Sequence, residues 1–167
     1  MSKGIRYPAP EEVRQLPRHL RMTVPPEWED RNGHVNVQYY QRLYELGGYG
    51  ILDDIGFDLA RCNAEGFGMF DLEHHIHYRA ELLVGHSVSG YSRVLAVNEK
   101  RFQGMFFILN DSTERLACTI EYVTCWIDLG VRRTAPLPDD LLRGLRAVVQ
   151  RSDILPWPVP RCGVMAP

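Results

Sequence analysis

The chain has 167 residues, of which 45% are hydrophobic and 24% charged; this composition is typical of a soluble globular protein with one domain and one core. Its formal net charge of −2 creates no overall field that would draw it to nucleic acid or to a membrane surface, so we expect neither as a partner. No apolar run approaches the roughly 20 residues of a membrane span. The start MSKGIRYPAPEE is not that of a signal peptide, and the four cysteines show no CxxC pairing and no metal-ligand spacing. We therefore predict a cytoplasmic protein with reduced thiols.

The first part of the chain is rich in proline and charge. We predict that residues 1–18 form an N-terminal arm and that residues 20–24 (LRMTV) form a short strand. The strand should end at Pro25 and Pro26, because proline cannot donate a hydrogen bond to a neighbouring strand. A dense polar stretch follows over residues 28–40, WEDRNGHVNVQYY.

The polar stretch leads directly into a predicted helix over residues 37–55. Asn36 is a favourable N-cap residue and Gly56 a favourable helix terminator. The apolar residues recur at the spacing of one helical face: Tyr40, Leu43, Tyr44, Gly47, Ile51, Leu52 and Ile55. Three glycines lie inside the helix, each costing about 1 kcal/mol relative to alanine: Gly47, Gly48 and Gly50. We expect close approach of another backbone to offset this cost, which requires the helix to be buried.

The remainder of the chain is rich in β-forming residues and then returns to a helix. The predicted strands, separated by turn residues, are 67–79, 86–97, 101–109 and 114–129. An amphipathic helix is predicted over residues 138–150, and the tail 152–167 should be irregular. One strand, a long helix and then four strands indicate an α+β fold, with one antiparallel sheet around a buried helix. We place this single domain at residues 19–151.

Three segments of the sequence carry a family resemblance that spans about residues 24–142. They are PPEWEDRNGHVNVQYY with its W-x-D-x-N-G-H-x-N-x-x-Y pattern, FDLEHHIHYRAELLVG, and LACTIEYVTCWIDLGVRRTAPLP. Together they resemble the hotdog-fold acyl-CoA thioesterases of the 4-hydroxybenzoyl-CoA thioesterase-like branch. Within that branch they are most similar to the betainyl-CoA thioesterase domains attached to carnitine dehydrogenases. The chain departs from many relatives at Val37, where they have a second asparagine, and at Trp28, where they have an earlier aspartate.

The resemblance implies a fold, a reaction and an assembly. The fold is an antiparallel sheet wrapped around a long central helix, with a C-terminal helix. The reaction is hydrolysis of an acyl-CoA to a carboxylic acid and free coenzyme A, without a cofactor or a metal. The assembly is a homodimer or homotetramer with sites between subunits, and a sheet edge of this kind also needs a partner for its backbone groups.

Asp30 matches the catalytic carboxylate of the family, as a general base or as a nucleophile. The backbone N–H of Val37, at the N-terminus of the predicted helix, is our candidate donor to the oxyanion. The alternative is that Asp30 and Asn36 only shape and cap the turn, which is common for these residue types. His34 either positions the substrate or has a structural role.

Further candidates surround these residues in the sequence. In EHHIHY, strand alternation places Glu73 and His75 on one face with His77, and His74 on the other. Such a set could bind a metal or lie in an ordinary interface strand; since Glu73 and His75 match positions of the carnitine-linked relatives, we keep them as substrate-binding candidates.

The aromatic and basic residues add two groups of candidates. Aromatic rings could hold a quaternary ammonium acyl group by cation–π contact, or could simply pack in the core: Trp28, Tyr39, Tyr40, Tyr44 and Trp126. Candidates for the phosphates of coenzyme A are Arg93, Lys100 and Arg101 and, examined first, the pair Arg132 and Arg133.

Two other functions remain open at the level of sequence. One is an acyl-CoA-binding module without catalysis, which would keep the pocket but would not need Asp30. The other is a hotdog hydratase or dehydratase, which needs a histidine and a carboxylate facing each other across the site.

Overall fold

The computed structural model describes residues 5–167, so the first four residues of the predicted arm lie outside the described part. The strands are β1 (Arg18–Thr23), β2 (Phe67–Tyr78), β3 (Ser87–Val97), β4 (Arg101–Asn110), β5 (Arg115–Asp128) and β6 (Arg133–Thr134). The helices are α1 (Pro10–Val13), α2 (Gln38–Gly47), α3 (Gly50–Asp54), α4 (Leu59–Ala64) and α5 (Asp139–Asp153), and one 3-10 turn covers Pro26–Trp28. No helix within residues 5–167 is long and apolar enough to cross a bilayer.

The six strands form one antiparallel sheet. Its order is β1-β3-β4-β5-β2, with the two residues of β6 added to β5. Strand β2 pairs with β5 along its whole length, from Phe67 opposite Asp128 to Tyr78 opposite Cys118. Its other edge has no partner strand in the described part of the chain. The α+β prediction, with one antiparallel sheet around a central helix, is confirmed.

Helices α2 and α3 lie in the curve of the sheet because their apolar residues are buried there. Leu43, Tyr44, Ile51 and Leu52 are at most 2% exposed and belong to the main core. The single predicted helix over 37–55 is, however, two helices. The regular helix is interrupted at Gly48 and Tyr49, although both residues keep right-handed backbone angles, φ −63° and ψ −32° at Gly48 and φ −89° and ψ 0° at Tyr49.

Close approach explains two of the three glycines in this region. A Cβ on Gly47 would lie 2.9 Å from Leu20 Cβ, and one on Gly50 would lie 2.6 Å from His19 Cβ. Strand β1 therefore crosses the helices at a distance that no larger residue permits. A Cβ on Gly48 would meet only its own helix, at Tyr44.

The opposite face of the sheet carries a second, smaller core. Side chains of β3 and β4 that point away from α2 pack there against residues from both ends of the chain. Its buried members are Val13, Leu16, Tyr91, Leu95, Met105, Phe107, Leu109 and Trp157. The N-terminal segment and the C-terminal tail thus cover much of the outer face of the sheet.

Candidate active site

The polar stretch folds as a tight hairpin over residues 28–36. Glu29 and Val35 form an antiparallel bridge, and the Asp30 N–H donates to the His34 carbonyl at 2.8 Å. The Asn36 N–H donates to the Trp28 carbonyl at 2.9 Å. Gly33 sits at the tip with φ +76°, a conformation that glycine adopts at little cost. The hairpin is therefore fixed by backbone bonds at both its tip and its base.

The two oxygens of the Asp30 carboxylate have different environments. Oδ1 accepts the backbone N–H of Asn32 at 2.7 Å and that of His34 at 3.2 Å. These two donors hold the pKa of Asp30 below its usual value, since hydrogen bonds to a carboxylate favour its charged form. Oδ2 has no hydrogen-bond or ion-pair partner within the described residues. Asp30 is thus ionised, and one of its two carboxylate oxygens has no partner among residues 5–167.

The entrance of α2 follows the base of this hairpin. Asn36 Oδ1 accepts the Gln38 N–H at 3.2 Å, the bond of an N-cap residue, although the cap position itself is Val37. The difference of one residue is within the usual uncertainty of helix ends. Val37 is 62% exposed, and its N–H makes no hydrogen bond to any of residues 5–167. A free N–H at a helix N-terminus attracts developing negative charge.

The side chains of His34, Trp28 and Tyr40 contact residues other than Asp30. The His34 ring lies 3.0 Å from a Glu81 carboxylate oxygen, so its side chain contacts the loop after β2 and not Asp30. Trp28 stacks face to face on Tyr39 at a centroid distance of 4.7 Å. Tyr40 meets Tyr78 edge-on at 5.0 Å, and burial raises the pKa of Tyr40 to about 12.

Glu73 and His75 lie on the face of β2 that points away from α2. His75 Nε2 is 2.8 Å from His77 Nε2, and the Tyr7 hydroxyl contacts the other nitrogen of His77. Ile76 on the opposite face packs in the main core. Within one chain, the structure therefore does not bring Glu73 and His75 together with Asp30. No group of three or more His, Cys, Asp or Glu in residues 5–167 is arranged to hold a metal ion.

A polar group that the sequence did not indicate lies between β2 and the central helices. Asp71 Oδ1 accepts hydrogen bonds from the hydroxyls of Tyr49, at 3.0 Å, and Thr124. Asp71 Oδ2 is 3.2 Å from His74 Nε2, and His74 Nδ1 is 2.8 Å from Gln41 Nε2. Simple alternation would put Asp71 and His74, three residues apart, on opposite faces. A β-bulge between Asp71 and Glu73 brings both to the helix side.

The basic candidates lie in three different places. Arg132 and Arg133 line a groove of about 410 Å³ whose apolar part includes Phe70 and Leu72. Arg93, in contrast, is a buried residue at 6% exposure. Its guanidinium donates to the Ser152 carbonyl at 2.6 Å and to the Trp157 carbonyl at 3.1 Å. Arg93 is therefore occupied within the fold, and Lys100 and Arg101 are exposed at the β3–β4 turn.

Comparisons with known proteins bear on this site. Residues 24–145 match the Thioesterase-like superfamily. A betainyl-CoA thioesterase of Pseudomonas aeruginosa is 25% identical over 135 residues, which are 81% of this chain and 85% of that protein. An L-carnitine dehydrogenase/betainyl-CoA thioesterase of Agrobacterium fabrum is 31% identical over 118 residues, 71% of this chain. This chain spans only 24% of that longer relative.

Solved structures show the same fold. A Staphylococcus aureus protein in complex with CoA superimposes with a TM-score of 0.78 at 20% identity, over 90% of this chain and 96% of that one. A 1,4-dihydroxy-2-naphthoyl-CoA thioesterase from Synechocystis gives a TM-score of 0.68 at 17% identity, over 76% and 93%. The hotdog fold and the thioesterase family predicted from the sequence motif are both confirmed. Nearly three quarters of the chain matches the family, so the protein belongs to the Thioesterase-like superfamily.

Proposed function

We propose that this thioesterase hydrolyses acyl-CoA at the hairpin 28–36, with Asp30 as the base or nucleophile and the Val37 N–H as the oxyanion donor. The hydrolase class follows from the family. The observation that supports the assignment of Asp30 is the different environment of its two carboxylate oxygens. Oδ1 of the ionised carboxylate is held by two backbone donors, whereas Oδ2 has no partner among residues 5–167, and the hairpin that carries Asp30 leads directly into α2.

The chemistry needs only these groups and water. With the thioester oxygen at the Val37 N–H, the carbonyl carbon becomes more electrophilic. As a base, Asp30 takes a proton from water, and the hydroxide adds to the carbonyl carbon. As a nucleophile, Asp30 adds directly and forms an anhydride that water then cleaves. In both routes the C–S bond breaks, the thiolate of coenzyme A leaves and takes up a proton, and the acyl group departs as a carboxylate.

We place the substrate in the class of short acyl groups with a quaternary ammonium. Two curated relatives are named for betainyl-CoA. For the other end of the substrate, the groove of Arg132 and Arg133 offers two guanidinium groups beside an apolar floor. Guanidinium pairs bidentately with phosphate, so this groove is our proposed contact for the phosphates of coenzyme A.

The edge of β2 supports a homodimer, with a homotetramer as the larger alternative. This edge is twelve residues long and has no partner strand in the part of the chain that is described. Phe70, Leu72 and Tyr78 on the same strand are 58%, 41% and 50% exposed. A second copy pairing at this edge would satisfy its backbone groups and cover apolar surface. All four cysteines are free thiols, which supports the cytoplasm as the location, to be tested by cell fractionation.

The deciding experiment measures release of free thiol from betainyl, short aliphatic, long aliphatic and aryl acyl-CoAs. We expect turnover of at least one substrate and a loss of about 100-fold or more in kcat for Asp30→Asn. The amide keeps an oxygen for the Asn32 and His34 donors, so the hairpin should stay folded. Glu29→Gln removes the same charge one residue away and should retain activity. The mass of each protein in solution, measured by light scattering, shows whether the dimer persists.

The outcomes separate the competing functions. Full activity of Asp30→Asn would remove that residue from catalysis. Binding of coenzyme A esters without any thiol release would favour the binding module. Conversion of a β-hydroxyacyl thioester with the thioester bond intact would favour the hydratase or dehydratase. A higher KM of the Arg132→Ala, Arg133→Ala protein for acyl-CoA, but not for an acyl-pantetheine, would locate the phosphates; equal changes would exclude that groove.

A further inference from the structure

The polar group between β2 and the central helices contains a partly buried negative charge. Asp71 keeps about a fifth of its side chain exposed, 22%, and His74 keeps 18%. Burial raises the pKa of Asp71, but hydrogen bonds from His74, Thr124 and Tyr49 outweigh it, so the net pKa lies below the usual value. Asp71 is thus ionised at neutral pH.

No strong cation balances this charge inside the protein. Among residues 5–167, the only ion-pair partner of Asp71 is His74, and neither lysine nor arginine reaches the carboxylate. His74 Nδ1 lies 2.8 Å from Gln41 Nε2 and His74 Nε2 lies 3.2 Å from Asp71 Oδ2, so the imidazole bridges α2 and the carboxylate. A carboxylate that is shielded on most of its surface and paired with no lysine or arginine attracts a cation more strongly than one in open water.

Three tyrosine rings pack together next to this carboxylate, and the Tyr49 hydroxyl donates to it. Tyr44 lies 5.1 Å from Tyr122, 6.0 Å from Tyr49 and 4.9 Å from His74, between ring centroids. We refer to Asp71, His74, Tyr44, Tyr49 and Tyr122 as the Asp71 cluster. Burial raises the pKa of each of the three tyrosines, and the charge of Asp71 raises it further. The same carboxylate therefore raises the pKa of all three phenols.

Two hydroxyls of the Asp71 cluster have no hydrogen-bond partner although they are buried. Tyr44 and Tyr122 are each 1% exposed, and neither hydroxyl oxygen is paired within the described residues. Buried polar atoms are nearly always satisfied, by protein, water or ligand. Two unpaired hydroxyls in the cluster that contains an ionised carboxylate point to a bound group.

The position of the Asp71 cluster relative to the reacting carbonyl fits a short acyl group. Gln41, which contacts His74, lies one helical turn after Val37, about 6 Å along α2. A thioester whose oxygen sits at the Val37 N–H can direct its acyl end along α2 toward the cluster. The Asp71 side chain keeps 22% of its surface exposed, so solvent reaches the carboxylate.

We infer that the Asp71 cluster binds the quaternary ammonium of a short cationic acyl group, an assignment that rests on the thioesterase activity proposed above. A trimethylammonium group cannot donate conventional hydrogen bonds and is recognised by aromatic faces and a nearby negative charge. The Asp71 cluster supplies both. The alternative aromatic pair, Trp28 and Tyr39, uses one face of each ring for its own stacking, and neither residue makes a hydrogen bond to a carboxylate of residues 5–167.

The test compares a cationic substrate with its uncharged isostere. Betainyl-CoA and 3,3-dimethylbutyryl-CoA differ only in nitrogen against carbon at the centre of the trimethyl group. For the wild type we expect kcat/KM to favour betainyl-CoA. Asp71→Asn should reduce that preference by about 10- to 100-fold, the effect of losing one charged partner, mainly by slowing the cationic substrate. Glu45→Gln, which removes an exposed negative charge from α2, should leave the preference unchanged.

Each result has a defined meaning. Equal losses on both substrates, or an unchanged preference in Asp71→Asn, would overturn the inference. If that variant fails to fold, product inhibition of thiol release by the wild type is measured instead. Glycine betaine should inhibit the reaction and 3,3-dimethylbutyrate should not. The reverse order would refute the inference. If the wild type hydrolyses nothing, the proposed function fails on its own, and calorimetry then compares binding of betainyl-CoA with that of its isostere. Preferential binding of the cationic ester, lost in Asp71→Asn, would still support the Asp71 cluster; equal binding would refute it.

Discussion

At the scale of single residues, one carboxylate serves both the turn and the proposed chemistry. Asp30 Oδ1 closes the hairpin through Asn32 and His34, and Oδ2 stays free. The two interpretations that the sequence left open, a turn-shaping aspartate and a catalytic one, are therefore compatible, because each uses a different oxygen. His34 contributes its backbone N–H to this arrangement, while its ring faces Glu81.

The pKa of Asp30 gives a prediction for the pH dependence of hydrolysis. The pKa is lowered from its usual 3.8 by the Asn32 and His34 donors, so the carboxylate stays ionised as pH falls to that value. We therefore expect kcat/KM to show no loss from Asp30 protonation between pH 8 and pH 5, measured by thiol release at constant ionic strength. His34→Gln keeps the backbone donor and removes the titrating ring. An acid limb centred above pH 5 that persists in His34→Gln would contradict the assignment of Asp30 as the base.

At the scale of elements, sequence patterns predicted the long strands well and the interruptions poorly. The predicted strand 67–79 is β2, Phe67–Tyr78, and 101–109 is β4, Arg101–Asn110, because their apolar and β-branched residues agree with their burial. The bulge between Asp71 and Glu73 was not predictable, since it depends on pairing with β5 and not on local composition. For that reason strand alternation alone could not place Asp71 and His74 on the same face of β2.

The same limit applies to the central helix. Periodicity favoured one helix over 37–55, and the apolar face it identified is buried. The break at Tyr49 follows from the crossing of β1, a tertiary contact with no local signal beyond the glycines themselves. The glycines did indicate close approach, and the structure confirms it at Gly47 and Gly50.

Gly47→Ala tests this close approach. A Cβ at this position would lie 2.9 Å from Leu20 Cβ and 3.1 Å from Phe106 Cζ. Overpacking costs about 1–3 kcal/mol and should exceed the ~1 kcal/mol that alanine contributes through helix propensity. We expect a net loss in the free energy of unfolding, measured in urea at fixed protein concentration. Glu45→Ala, an exposed site in the same helix, should change it by less than about 0.5 kcal/mol. A Gly47→Ala protein more stable than the wild type would show that the helix can move away from β1.

At the scale of the whole molecule, the two ends of the chain meet on the outer face of the sheet. Trp157 from the tail packs with Val13 and Leu16 from the N-terminal segment, and the Trp157 indole N–H donates to Gln15 Oε1 at 3.1 Å. Further along this face, Tyr7 contacts His77 and lies under the Arg79 guanidinium at 4.0 Å. Segments outside the family match, 24–145, therefore cover the outer face of the sheet. Because Tyr7 contacts His77, we expect the packing of the N-terminal segment to respond to pH.

Four groups around His77 determine the direction of that response. Burial lowers the pKa of His77 from 6.5, the charges of His75 and Arg79 lower it further, and Glu121 opposes them. Tyr7 contacts the ring from the N-terminal segment. Because the folded pKa lies below the unfolded one, the unfolded chain binds more protons in this range. The stability contributed by neutral His77 is thus fully present above pH 6.5 and is lost as pH falls through 6.5 toward the lowered pKa.

We therefore expect the free energy of unfolding to decrease from pH 7.5 to pH 5.5, with a share from His77 smaller than the ~1.4 kcal/mol per pH unit of one full proton. His77→Gln cannot be protonated and should flatten the curve in urea titrations at constant ionic strength. His34→Gln, on the exposed hairpin, is the matched control and should follow the wild type. If Tyr7 docks on neutral His77, proteolysis before residue 10 should also become faster in the wild type at pH 5.5. An identical pH dependence for wild type and His77→Gln would show that protonation of this ring is not coupled to the closure of the outer face.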